Sequence, residues 1–207
     1  PTDPIYDPVL KKMITKPSHT KARSYGYSLA NSVIEAFHAG DFEQSPEPSI
    51  TVYSTEIELG LENFMLTLGT LLGVIDTDPK FSLMPPFVRY LSEVAFIKIG
   101  EASITGVPGE LYPEIAVGGI ENPDGADFEM APQEIPYLRS KYSEKLNLMV
   151  NLANDSIGYI IPKSEWDNEA PWIYGETEET YGEVVSLGPS TAPEIHENII
   201  KLIEESK

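Results

Sequence analysis

Apolar residues recur at three- and four-residue steps at Ala22, Tyr25, Leu29, Val33 and Phe37, and this spacing predicts a helix over 21–38. Gly40 supplies its stop, and Gly26 inside the pattern predicts close approach of a neighbour. The first twenty residues carry four prolines and few periodic positions, so they read as an extended arm. A Ser-Pro-Glu-Pro loop follows the helix at 45–48. Over 50–59, Ile50, Val52, Tyr53, Ile57 and Leu59 interleave with Thr51, Ser54, Glu56 and Glu58, a strand-like pattern with a polar face. Leu61 to Ile75 reads as a second helix with Gly69 and Gly73 on a small-residue face.

Further on, 93–99 and 102–107 read as a strand pair around Gly100, ending at Pro108-Gly109-Glu110. Residues 118–137 are rich in Gly, Pro and acidic side chains and predict a long loop. An apolar strand over 146–152 breaks at Asn154-Asp155-Ser156 and resumes over 157–161. The chain closes on a helix with Thr191 as cap, Pro193 in its first turn, and Ile195, Ile199, Leu202 and Ile203 as its buried stripe. Interleaved helices and strands predict a single α/β unit over 1–207, a mixed sheet with flanking helices, forming part of a larger α/β domain.

Composition narrows the partners. The formal net charge is −19, from 33 acidic against 14 basic residues, which repels phosphate backbones and excludes nucleic acid. It also disfavours purely electrostatic docking on anionic lipid. Without cysteine there are no thiolate ligands, and His19, His38 and His196 lie at no metal-ligand spacing, so a metal site built here would be oxygen-rich. His38 reads as a partner for a helix C-terminus and His196 as a solvated side chain on the last helix. The acidic run Glu176, Glu178, Glu179, Glu183 lacks the spacing of a calcium loop and reads as a solvated face.

Two turns can carry chemistry. Gly106-Val107-Pro108-Gly109-Glu110 delivers a carboxylate at a strand end, where backbone rigidity can hold it to a ligand; a plain turn with its glutamate in water explains the same residues. Asn151 to Tyr159 interrupts an apolar run with Asn154 and Asp155. A structural turn accounts for those two as well as a supporting role beside a ligand does, and Tyr159 reads equally as a core aromatic.

Taken with the tail, these segments resemble the neutral ceramidase family from about Ile99 to Ile203. The pieces are Ile99-Gly100-Glu101, Val107-Pro108-Gly109-Glu110, Leu152-Ala153-Asn154 with Gly158-Tyr159-Ile160, and Tyr181-Gly182-Glu183 with Ser186-Leu187-Gly188-Pro189. The resemblance implies a zinc-dependent amidohydrolase acting on an N-acyl lipid amide, with the metal held by two histidines, a glutamate and a tyrosine. It places the glutamate on Glu110 and the tyrosine on Tyr159, and Asn154 and Asp155 are then the candidates for supporting the ligands from behind. It also implies that the histidines and the nucleophilic serine come from elsewhere, either the N-terminal half of the same domain or another chain. This chain alone is then expected to be inactive, with an extracellular or membrane-facing location. The alternative is a non-enzymatic α/β binding module that has lost the metal site. If the chain is the back part of a larger domain, a sheet face around Ile97 and Ile99 and the segment Leu66 to Gly73 are expected to meet a partner or a second copy.

Overall fold

The computed structural model describes residues 3–40, 49–75, 79–178 and 180–207. The chain divides into two compact units, 1–46 and 47–207, where the sequence reads as one. The Ser-Pro-Glu-Pro loop lies outside the described residues.

In the first unit, β1 (Ile5–Asp7) pairs antiparallel with β2 (Lys12–Ile14) inside the range read as an extended arm. Helix α1 (His19–Ala39) follows. Ser18 caps it by accepting from the Lys21 amide, and Gly40 ends it in the left-handed region at φ 72°. Asp7 explains why the prolines do not leave the arm extended. Its Oδ1 accepts from the amides of Val9 (2.8 Å) and Leu10 (2.7 Å), closing the turn, and its Oδ2 accepts from the Ser24 hydroxyl of α1 at 2.8 Å. The period that predicts the helix does not mark a buried face, because Leu29, Val33 and Phe37 are 61–68% exposed. Gly26 also departs from expectation, since a Cβ there meets nothing within 4 Å.

The second unit is α/β, with a mixed sheet. Strand β3 (Ile50–Gly60) precedes helix α2 (Phe64–Leu71), then β4 (Lys80–Phe81), β5 (Val88–Ile99) and β6 (Ala102–Gly106). After β7 (Glu110–Leu111) and α3 (Pro113–Val117) come the long loop, β8 (Leu146–Val150) and β9 (Tyr159–Ile160). Helices α4 (Tyr181–Val184) and α5 (Thr191–Glu205) end the chain. The main sheet runs β3-β5-β6-β8, with β4 on β5; β3, β5 and β6 are antiparallel neighbours and β8 joins β6 in parallel.

Alternation along the strands separates the two faces of this sheet. Tyr53, Ile57 and Leu59 share one face with Val94 and Phe96, and α5 packs against β3 and β5 with Ile195, Ile199, Leu202 and Ile203 buried. On the other face, Val52, Ile97, Ile104 and Leu148 form one cross-strand row, and Ile50, Ile99, Ala102 and Leu146 the next. Ile50, Val52, Leu146 and Leu148 are at least half exposed there. Among the described residues, no helix is long and apolar enough to cross a membrane.

The start of α5 corrects the expected cap. Ser190 occupies the cap position, and Glu62 accepts from its amide (2.9 Å) and hydroxyl (3.1 Å), putting a carboxylate at the positive end of the helix. The Thr191 hydroxyl is buried without a partner. His196 is buried too, not solvated, with Nε2 2.9 Å from the Pro136 carbonyl oxygen. Helix α2 is shorter than the 61–75 pattern suggests, because Asn63 caps it and Gly73 turns left-handed after its end.

Asp7 generates a prediction. Amide and hydroxyl donors, with Arg23 nearby, hold its carboxyl below the ordinary 3.8, so its stabilisation is present at neutral pH and is lost as pH falls through the lowered value. Hydrogen exchange should show protection over residues 5–24 collapsing only in strong acid. Asp7→Ala should remove that protection at every pH. Unchanged protection in the variant would show that the junction does not depend on this carboxylate.

Candidate functional site

Glu110 and Tyr159 are register partners in the parallel pair β7–β9. Neighbouring strands lie about 4.8 Å apart, and paired residues project from the same side, so the carboxylate and the phenol stand side by side although 49 residues separate them in sequence. Glu110 is exposed and Tyr159 half-buried.

Main-chain hydrogen bonds hold this pair together. The Val107 amide donates to Val150 O (2.9 Å), and Ala153 returns one to Val107 O (2.9 Å). Leu152 donates to Gly109 O (3.2 Å), Ile157 to Pro108 O (3.0 Å), and Glu110 to Gly158 O (2.9 Å). Tyr112 then donates to Ile160 O (3.1 Å), and Tyr159 to Val185 O (3.3 Å) on the far side. The Pro-Gly-Glu turn is thereby fastened along its length to the 150–160 turn.

Two glycines make the approach possible. A Cβ on Gly109 would collide with the Gly158 carbonyl oxygen, and one on Gly158 with that of Val185. Gly158 also sits at φ 87°, where side-chain-bearing residues are strained. Leu152 (φ 55°) and Asn154 (φ 71°) take left-handed backbone in the same turn.

Asp155 accepts from the Tyr90 hydroxyl (3.1 Å) and its neighbour's amide (2.8 Å) on Oδ1, and from Ser92 Oγ (2.9 Å) on Oδ2. It therefore ties the turn to β5. Asn154 Nδ2 donates to Glu93 Oε1 at 3.5 Å.

The sequence reading missed what surrounds Tyr159. Its ring meets Tyr112 (centroids 6.2 Å, 80°) and Tyr181 (6.1 Å, 77°) edge-on, making a row of three phenols. Burial first, then the charges of Glu183 and Glu165, push the Tyr112 hydroxyl up to about 12. Glu183, read as part of a solvated face, is buried, and desolvation raises its carboxyl above the ordinary range despite hydrogen bonds from Thr180 and the Asp167 amide. Glu176 and Glu178 of that run are exposed, and Glu179 lies outside the described residues. Tyr112 could have been found, because a residue two positions beyond Glu110 projects from the same side of an extended chain. Tyr181 and Glu183 are brought in by tertiary packing alone.

Two cavities adjoin neighbours of the pair, Gly158 in one and Tyr112 in the other, and neither is lined by Glu110 or Tyr159 themselves. One of about 240 Å³ is mainly apolar, lined by Leu61, Leu66, Tyr90, Ile157, Gly158 and Leu187 among others. The other, about 500 Å³, is acidic and aromatic, with Tyr112, Glu165, Tyr174, Glu176, Glu178 and Glu183 in its wall. Among the described residues, no three of His, Cys, Asp and Glu are placed to hold a metal ion together. A carboxylate beside a phenol gives two hard oxygen donors, a donor set that fits zinc in part. Comparison with known proteins returned no match to a family model, a curated protein or a solved structure.

The lacing predicts a sharp glycine requirement. Gly158→Ala should lower stability by at least about 2 kcal/mol in urea denaturation, through the left-handed backbone and the clash with Val185. A cost below about 0.5 kcal/mol would mean that the 109–158–185 approach is looser than described.

Proposed function

We propose that this chain is part of a zinc-dependent amidohydrolase resembling neutral ceramidase, hydrolysing an N-acyl lipid amide. The observation that carries the reading is the side-by-side placement of Glu110 and Tyr159 on adjacent strands. Glu110 and Tyr159 would hold the metal together with two histidines from outside this chain. When bound, zinc polarises the amide carbonyl and activates the attacking group. The Glu110 carboxylate and the Tyr159 oxygen would fix its position, because each sits on backbone that cannot shift independently of the other. The 240 Å³ cavity beside Gly158 offers apolar surface suited to an acyl chain.

The same reading gives the exposed sheet face a role. The row Val52, Ile97, Ile104, Leu148 carries no charge in a chain of net charge −19. Exposed apolar patches of this kind mark interfaces, and the polypeptide supplying the histidines is the partner this reading assigns to it. Self-association through that face is the competing use.

A second reading is a binding module without the metal site.

Zinc binding and amide hydrolysis by the complete gene product distinguish the two. Glu110→Gln and Tyr159→Phe should each lower hydrolysis at least about 100-fold and reduce bound zinc. The 207-residue chain alone should hold zinc weakly and hydrolyse nothing. Full activity in both variants, or robust hydrolysis by the isolated chain, would overturn the assignment.

A further inference from the structure

From Gly26 to Ala39 every residue of α1 is exposed, and of the whole helix only Lys21 and Ser24 are buried. Ser24 precedes Val33 by about two and a half turns, so the hydroxyl bonded to Asp7 and the Val33 side chain point to opposite sides of the helix. The helix is held from one side, and its apolar stripe turns away from that anchor. Leu29 is 68% exposed and Val33 61%. Local sequence gives residues 26–39 little support as a free helix. Gly26, Ser28, Asn31, Ser32 and Val33 are poor helix formers, and Glu35 has no lysine or arginine one turn away in either direction. A stretch this short is marginal as a helix in water, and packing of an apolar face is what normally stabilises it.

Gly26 adds an independent observation. Its backbone is not left-handed, and a Cβ there would meet nothing within 4 Å, so the fold of this chain requires no glycine at the position. A glycine inside a helix nonetheless destabilises it relative to alanine. Gly26 and Ala30 form a shallow row along α1, and Leu29 and Val33 form a raised row beside it, each with the four-residue step of helix grooves and ridges. The raised row fits the shallow one. About a two-fold axis midway between Leu29 and Ala30, an antiparallel second copy sets Val33 against Gly26 and Leu29 against Ala30, in both directions at once. Such a contact is isologous and closes on itself.

Charge separates this surface from the exposed sheet rows. The first unit carries five acidic and five basic residues, so the whole net charge of −19 falls on the second. Two copies meeting through their sheets bring two strongly acidic bodies together, whereas two α1 helices join units without net charge. We propose that α1 is a self-association surface, through which two copies of this chain pair antiparallel by the Gly26–Ala30 and Leu29–Val33 rows. The glycine then serves the close approach of the partner helix. This inference is independent of the zinc assignment.

Sedimentation of the 207-residue chain over a concentration series should show a monomer–dimer equilibrium. Val33→Asp should weaken the dimer at least about tenfold. Gly26→Leu should weaken it by a similar factor, although it raises both helix propensity and apolar area. Val33→Ala added to Gly26→Leu should recover most of that loss, because the pair exchanges bulk across the contact. The chain has no cysteine, so single cysteines report the geometry. Ala30→Cys lies close to the axis and should form an interchain disulfide under mild oxidation. Ala36→Cys should not, since an antiparallel pair holds it about 20 Å from its counterpart. Should Val33→Asp unfold α1, the cysteine variants still read the otherwise unaltered surface. A chain that stays monomeric up to about 1 mM would overturn the proposal. So would a tighter dimer in Gly26→Leu, or equal cross-linking at 30 and 36. A dimer kept in Val33→Asp but lost in Ile97→Asp would assign self-association to the sheet instead.

Discussion

The backbone lacing between 107–112 and 150–160 is the constraint on which the rest of the second unit depends. Each of its hydrogen bonds uses a main-chain group that would otherwise be left unpaired where two turns meet at the end of the sheet. The lacing extends the parallel pairing of β6 and β8 beyond their strand ends and delivers the chain into β7 and β9 in register. The glycines at 109 and 158 follow from it, because two backbones in hydrogen-bonding contact leave no room for a Cβ between them. Asp155 adds a third anchor by binding two hydroxyls of β5, so the turn cannot swing away from the sheet.

A second set of ties joins the start of α2 to the end of the chain. Asn63 caps α2 with its side-chain oxygen, while its amide donates to the carbonyls of Glu183, Val184 and Ser186. Its neighbour Glu62 serves as the anion at the start of α5. Two consecutive polar residues therefore set where α4 ends and α5 begins, and α5 in turn covers one face of the sheet. The Tyr181 and Glu183 side chains reach the candidate site because these ties hold the 181–186 segment beside β9, where Tyr159 donates to Val185 O.

The acidic character of the chain is unevenly spent. Burial raises the carboxyls of Glu165, Asp167 and Glu183 above their ordinary range. On the exposed apolar rows of the sheet there is no charge at all. The net charge of −19 therefore lies on other parts of the chain than these exposed apolar rows.

Local pattern was enough for the α/β class, for the positions of β3, β6 and β8 and the second half of β5, and for the buried stripe of α5, because strand and helix periods are written into neighbouring residues. The two turns that bring Glu110 and Tyr159 forward were legible as polar interruptions of apolar runs. That they are fastened to each other was not, since the bonds run between main-chain groups that every sequence possesses. The tyrosine row, the burial of Glu183 and His196 and the role of Glu62 at α5 depend on which distant segments meet. Helix α1 shows the same limit from the other side: its apolar period set the helix correctly, yet Leu29, Val33 and Phe37 stay exposed. Periodicity records what a segment can bury, and only the tertiary structure decides whether something lies against it.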